Sequence, residues 1–227
     1  MATQEGVIDL SSVIYDVDPV VMVPLGLLIL VLTASLPKSH RLSLRDSLVA
    51  FWYLFNGIII HIFLDGLVGF ARRVPFLFSL YCTLDKRYEH AESAVMMISI
   101  TELLIMGPLC IFLYYGYHRN KSWRAPLELV VCAIQIFGTI VFTGSEIWEG
   151  FPHIPTDFEM TFEQDKVIFF WVFFVAANAL WLLLPLRLLL TAFHEVNAAM
   201  LATRPATRGS SSKAKKSTKK STSKKAD

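Results

Sequence analysis

Residues 51–70 read FWYLFNGIIIHIFLDGLVGF. The run has the length and apolarity of a helix that crosses a hydrocarbon core of about 30 Å. In its middle, however, it carries His61 and Asp65, one helical turn apart and on one face. Ionisable side chains at membrane depth are expensive, so the pair reads as a functional site. The same anomaly recurs at Glu102, inside the apolar segment 94–115, and at Asn178, inside 167–190. These interruptions point to a polar pocket buried in a helical bundle.

Composition agrees with a membrane protein. Of 227 residues, 54% are hydrophobic and only 18% charged, with a mean hydropathy of +0.51. A soluble domain of this size would carry a more polar surface. Five segments have the length and apolarity to span: 20–36, 47–70, 94–115, 127–143 and 167–190. The expected organisation is a lumenal segment 1–19, a five-helix transmembrane domain 20–190, a cytosolic helix end 191–203 and a disordered Lys-rich tail 204–227. Acidic residues Glu5, Asp9, Asp16 and Asp18 stand where a signal peptide would need a basic region, so the first apolar segment reads as retained.

Cytosolic loops collect Lys and Arg. Lys38, Arg41 and Arg45 follow the first span, Arg119, Lys121 and Arg124 the third, and the basic tail the fifth. An acidic loop between the fourth and fifth spans then faces the lumen, giving a lumenal amino terminus and a cytosolic carboxyl terminus. Arg72, Arg73, Lys86 and Arg87 run against this pattern, accompanied by Asp85, Glu89 and Glu92. The tail ends Lys224-Lys225-Ala226-Asp227, similar to the dilysine signal that retains membrane proteins in the endoplasmic reticulum. Its bland alternative is a solvated basic anchor touching anionic lipid headgroups. No folded basic face accompanies the tail, which argues against nucleic-acid binding. Cys82, Cys110 and Cys132 have no metal-type spacing and read as packing residues.

The sequence contains no Gly-rich phosphate loop, no His-Glu-x-x-His and no Gly-x-Ser-x-Gly. Nucleotide-driven, zinc-peptidase and serine-esterase chemistry therefore leave the front rank. A lone buried histidine can simply bond a neighbouring helix, and an intramembrane Asn can serve as interhelical glue. Yet Asn178 and Trp181 lie at i and i+3, presenting an amide and an indole on one face. A carboxylate, an imidazole, an amide and an aromatic plane in one pocket suit an apolar substrate whose chemistry passes through a cation.

The segments HIFLDG (61–66), DKRY (85–88), MGPL (106–109) and QIFG (135–138) occur in order, followed by Glu146, Gly150-Phe151, FW (170–171), NALW (178–181) and Pro185. Their order and spacing resemble the emopamil-binding protein family, the sterol Δ8-Δ7 isomerases of the EXPERA membrane-domain group, over about 47–190. The resemblance implies an all-α bundle of five transmembrane helices in the endoplasmic reticulum, often a homodimer, with a sterol cavity open to the bilayer. It also implies a cholestenol Δ-isomerase that moves a ring double bond without metal or other cofactor. Its implied partners are a sterol substrate, cationic amphiphilic ligands and membrane lipid.

By position, His61 matches the family histidine and Asp65 the acidic residue one turn on, where the enzymes usually carry Glu. Asn178 and Trp181 match in type and would face the cation, with Ser99, Glu146 and Tyr88 as supporting positions. One departure is notable. Counting back from Gly107-Pro108, the family's second catalytic carboxylate falls at Ser99, while Glu102 lies one turn nearer the glycine. That shift keeps nearly the same helix face but moves the carboxylate about 5 Å along the axis. Thr139 stands where the better-known isomerases carry an acidic residue. Two readings follow: an isomerase using His61, Asp65 and Glu102, or a non-catalytic sterol- or amphiphile-binding protein of the same fold. They differ on whether Glu102 reaches the space held by His61 and Asp65.

Overall fold

A computed structural model describes residues 42–203. The expected span 20–36, the tail 204–227 and its dilysine-like end lie outside the described residues. Among those described there are helices and no strand. Four helices are long and apolar enough to cross a membrane: α1 Leu44–Phe70, α3 Ser93–His118, α4 Arg124–Glu149 and α5 Gln164–Ala202. A shorter apolar helix, α2 Pro75–Leu84, lies between the first two.

Helix α1 starts where chemistry permits. The Ser43 hydroxyl accepts from the Asp46 amide at 3.1 Å, and Asp46 sits in the first turn, favoured by the helix dipole. From Asn56 to Phe70 the helix widens to π geometry, and similar stretches occupy Glu102–Met106 in α3 and Val167–Ala177 in α5. Such widening leaves a backbone carbonyl without its usual partner and often marks functional sites. Asparagines stand at two of the junctions. Asn56 Nδ2 donates to the Trp52 carbonyl at 2.8 Å, and Asn178 Nδ2 to the Phe174 carbonyl at 2.7 Å.

Close approach of α1 and α3 sets the register of the site. A Cβ on Gly57 would lie 2.9 Å from the Gly107 carbonyl oxygen and 3.0 Å from the Cys110 Cβ. Ile62 packs on Gly107 and Leu103 on Gly66, so the pairs 57 with 110, 62 with 107 and 66 with 103 run antiparallel. Small residues at a membrane helix crossing let backbones meet. His61, one turn past Gly57, is thereby brought opposite Glu102. Around this crossing a core of Ala50, Tyr53, Met106, Cys110, Leu113, Val131, Cys132 and Leu188 ties α1, α3, α4 and α5 together.

Two expected spans are longer than hydropathy alone suggests. The segment 127–143 extends to Arg124–Glu149, and 167–190 to Gln164–Ala202. Their polar ends are tolerated because they pair. Arg124 bonds Glu195 of α5 and lies 3.3 Å from Glu128, while Glu146 is fully buried against Arg87 and His153. Helix α4 then stops at Gly150, whose φ of +83° closes the turn as glycine allows most readily.

Two of the basic residues that run against the charge pattern have partners of their own. Arg87 is buried against Asp85, and Arg72 lies over the Phe78 ring while donating to the Tyr88 carbonyl.

Candidate functional site

His61 is 1% exposed, and its Nδ1 lies 3.8 Å from Asp65 Oδ2 and 3.6 Å from Glu102 Oε1. One ligand atom from each of the three side chains falls within 4.8 Å of the others. Both distances exceed a hydrogen bond, and neither ring nitrogen has a hydrogen-bond partner among the described residues. The imidazole is thus held between two carboxylates with its polar atoms uncommitted.

A cavity of about 280 Å³ opens beside the trio, just below the range of about 300–1,000 Å³ usual for small-molecule sites. His61 and Glu102 line it together with Met97 and Thr101 of α3 and Gln135 and Gly138 of α4. Glu102 therefore faces both the cavity and the imidazole. Among the described residues no arginine pairs with its carboxylate, and α3 starts its π segment at this residue.

The other sequence-predicted residues divide. Tyr88 is buried beside the site, its ring against Gly69 and 4.9 Å from the Tyr81 ring centroid. Burial pushes its phenol pKa well up, and the carboxylates of Asp65 and Glu102 act in the same direction. Ser99 is buried with its hydroxyl unpartnered, but it does not line the cavity. Glu146 lies elsewhere: its carboxylate accepts from the His153 amide at 2.8 Å and contacts His153 Nδ1 at 3.0 Å and Arg87 Nε at 3.4 Å. It is an architectural group of the loop that follows α2.

Asn178 and Trp181 do not line the cavity either. The Asn178 amide donates to its own helix, and the Trp181 ring packs on Trp52 at 5.3 Å between centroids. Sequence spacing placed them on one face, but the π-to-α junction at Asn178 takes up the amide.

Tyr81 was not anticipated. It sits on α2, and burial raises its phenol pKa, with Asp65 and Glu102 the next causes. Nothing in its spacing signals this, because α2 reaches the trio only through the tertiary fold. Gln135 and Gly138 belonged to a recognised motif, but the cavity they border could not be read from it.

The EBP model, described as EXPERA (EXPanded EBP superfamily), matches residues 32–192, well over half the chain. The chain belongs to the EXPERA family. This EXPERA protein is 25% identical over 199 residues to a probable 3-beta-hydroxysteroid-Delta(8),Delta(7)-isomerase of Oryza sativa subsp. japonica, covering 84% of this chain and 86% of that protein. It is 29% identical over 149 residues to the 3-beta-hydroxysteroid-Delta(8),Delta(7)-isomerase of Mus musculus, with coverage of 65% and 58%. A protoglabretal synthase of Ailanthus altissima is 26% identical over 171 residues, with coverage of 71% and 73%. All four membrane-length helices lie wholly or largely within the matched region.

Proposed function

We propose that this EXPERA protein is a sterol Δ8-Δ7 isomerase in which His61, Asp65 and Glu102 form the proton-transfer set. The observation that carries the reading is the placement of Glu102, 3.6 Å from a buried and unpartnered His61 at the edge of an apolar cavity. Relatives whose names state this isomerisation support the substrate class.

The chemistry needs no redox change. An acid of the trio adds a proton to C9 of the C8=C9 double bond, leaving a tertiary cation at C8. A base of the trio then removes a proton from C7, and the electron pair of that C–H bond closes C7=C8. A neutral ring becomes cationic on the way, so carboxylates fixed in a low-dielectric site stabilise the transition state more than the ground state. Proton exchange within the trio resets acid and base. Tyr88 and Tyr81 border the carboxylates as neutral phenols.

The proposed setting is the endoplasmic reticulum membrane, with the amino terminus lumenal and the carboxyl terminus cytosolic. Sterol, cationic amphiphiles and a second copy of the chain are its proposed partners. A second reading, sterol binding without turnover, draws on Asp65 in place of the longer Glu, Ser99 in place of a carboxylate, and the engagement of Asn178 and Trp181 away from the cavity.

Complementation of a cell lacking sterol Δ8-Δ7 isomerase separates the two. Appearance of Δ7 sterol by mass spectrometry, abolished by Glu102→Gln, supports the isomerase. Persistent Δ8 sterol with the protein well expressed supports the binding protein.

A further inference from the structure

Helix α4 presents Ile134, Gln135, Gly138 and Val141 to the cavity at helical spacing, across from Glu102 and Thr101 of α3. Gly138 is the anomaly in that stripe. A glycine inside a helix is costly relative to alanine because it orders a freer backbone and packs nothing. Five other helical glycines have a steric reason. A Cβ at Gly57, Gly66, Gly69, Gly107 or Gly116 would collide with a neighbouring atom at 2.9 Å or less. Gly150 has a left-handed φ. Gly138 has neither reason: a Cβ there meets nothing within 4 Å, and its φ is ordinary for a helix.

We propose that Gly138 is a specificity-determining residue of the sterol site, its missing side chain leaving the width through which a polycyclic substrate lies against Glu102. The inference rests on the reading of the cavity as a sterol site. At Gly138 the empty space is cavity, so a side chain added there would occupy volume the ligand needs without disturbing protein packing. Gly144 supplies the internal control. It lies on the same helix and its Cβ would also meet nothing within 4 Å, but it does not line the cavity.

The test uses the full chain in lipid nanodiscs, with Gly138→Ala, Gly138→Val and Gly138→Leu beside Gly144→Leu. Saturable binding of two radiolabelled Δ8 sterols is measured, one carrying two methyl groups at C4 and one carrying none, together with conversion to Δ7 product. Affinity is expected to fall stepwise with side-chain size at 138, reaching about tenfold or more at leucine, with the larger loss for the dimethyl sterol. Gly144→Leu is expected to stay within about twofold of the unaltered chain, a change too small for a pocket contact. Equal affinities for Gly138→Leu and Gly144→Leu would overturn the inference. If leucine at 138 prevents accumulation of folded protein, the alanine and valine steps carry the same comparison at smaller amplitude, and a flat response from them overturns it. Binding without conversion in the unaltered chain would sink the isomerase but leave the size series readable by affinity. Absence of saturable sterol binding would overturn both.

Discussion

The trio at the α1–α3 crossing and the cluster around Arg87 share the same kinds of acidic and basic side chain and each centres on a fully buried one, yet they are satisfied very differently. Arg87 and His61 are each 1% exposed. Arg87 donates to both carboxylate oxygens of Asp85, to the Phe142 carbonyl at 2.8 Å and to Ser145 Oγ at 3.0 Å, with the Phe142 ring under its guanidinium. Glu146 and His153 extend this network. A third buried group, Glu128, accepts from Tyr53 at 2.9 Å and Tyr117 at 2.8 Å, with Arg124 alongside. His61, by contrast, has two carboxylates near it and a hydrogen bond to neither. An unpartnered buried polar atom costs about 1–3 kcal/mol. Two clusters thus hold loops and helices together with every polar side-chain atom of Arg87 and Glu128 engaged, while the third leaves both imidazole nitrogens of His61 without a hydrogen bond among the described residues.

The sharpest way to break that contrast is Glu102→Gln. Loss of a proton-transfer group lowers turnover by about 10²–10⁴-fold, and because the glutamine amide can still donate to Asp65, the side-chain partner of Glu102, resistance to unfolding stays close to that of the unaltered chain. A sterol conversion assay paired with thermal unfolding reads both, and undiminished turnover would remove Glu102 from the chemistry. Arg87→Leu is expected to do the reverse. It strands Asp85 and Glu146 as buried charges and destabilises the fold by about 3–5 kcal/mol, visible in denaturant unfolding or limited proteolysis. Unchanged stability would show that the Arg87 network is not structural.

Gly57→Ala probes the link between architecture and site. Its Cβ would press on the Gly107 carbonyl, and the α1–α3 crossing must open, at about 1–3 kcal/mol. Turnover is expected to fall with stability, since His61 and Glu102 take their register from this contact. A stable variant with full turnover would contradict that dependence.

Tyr117→Phe removes one of the two phenols that bond Glu128 and is expected to cost about 0.5–1.5 kcal/mol in unfolding with turnover intact. A fall in turnover would tie this cluster to the site after all.

The smallest effect concerns the loop before α5. Burial works against the Asp157 carboxylate, but bonds from the Thr161 hydroxyl, the Trp171 indole and the Thr161 and Phe162 amides outweigh it and lower its pKa from 3.8 to about 2. A depressed carboxyl contributes stability above its ordinary pKa and loses it as pH falls towards the folded value. The thermal midpoint should therefore drop between about pH 4 and pH 2, and less steeply in Asp157→Asn. Parallel slopes for the two proteins would refute the assignment.

The helical membrane class and the His61–Asp65 pair were legible in the sequence because both are local. Apolar length and an i, i+4 spacing depend only on residues close in the chain. Glu102 was legible as an anomaly but not as a neighbour of His61. The ends of α4 and α5 were hidden because hydropathy counts Glu146, Arg124 and Glu195 as polar, without knowing that they are paired. The surroundings of Asn178 and Trp181 were hidden for a related reason. Periodicity gives a face, but the π segment ending at Ala177 and the packing of Trp52 decided what that face meets.

By itself, then, the sequence determined that four of the described segments are long and apolar enough to cross a membrane and that ionisable residues interrupt them, since transfer of side chains from water is a property of local composition. Only the tertiary structure decided that Glu102, Tyr81 and Gly138 share one site with His61. That proximity rests on the contact of Gly57 with the Gly107 backbone and on the packing of α2 and α4 around it, and such long-range contacts are set by the packing of the whole bundle.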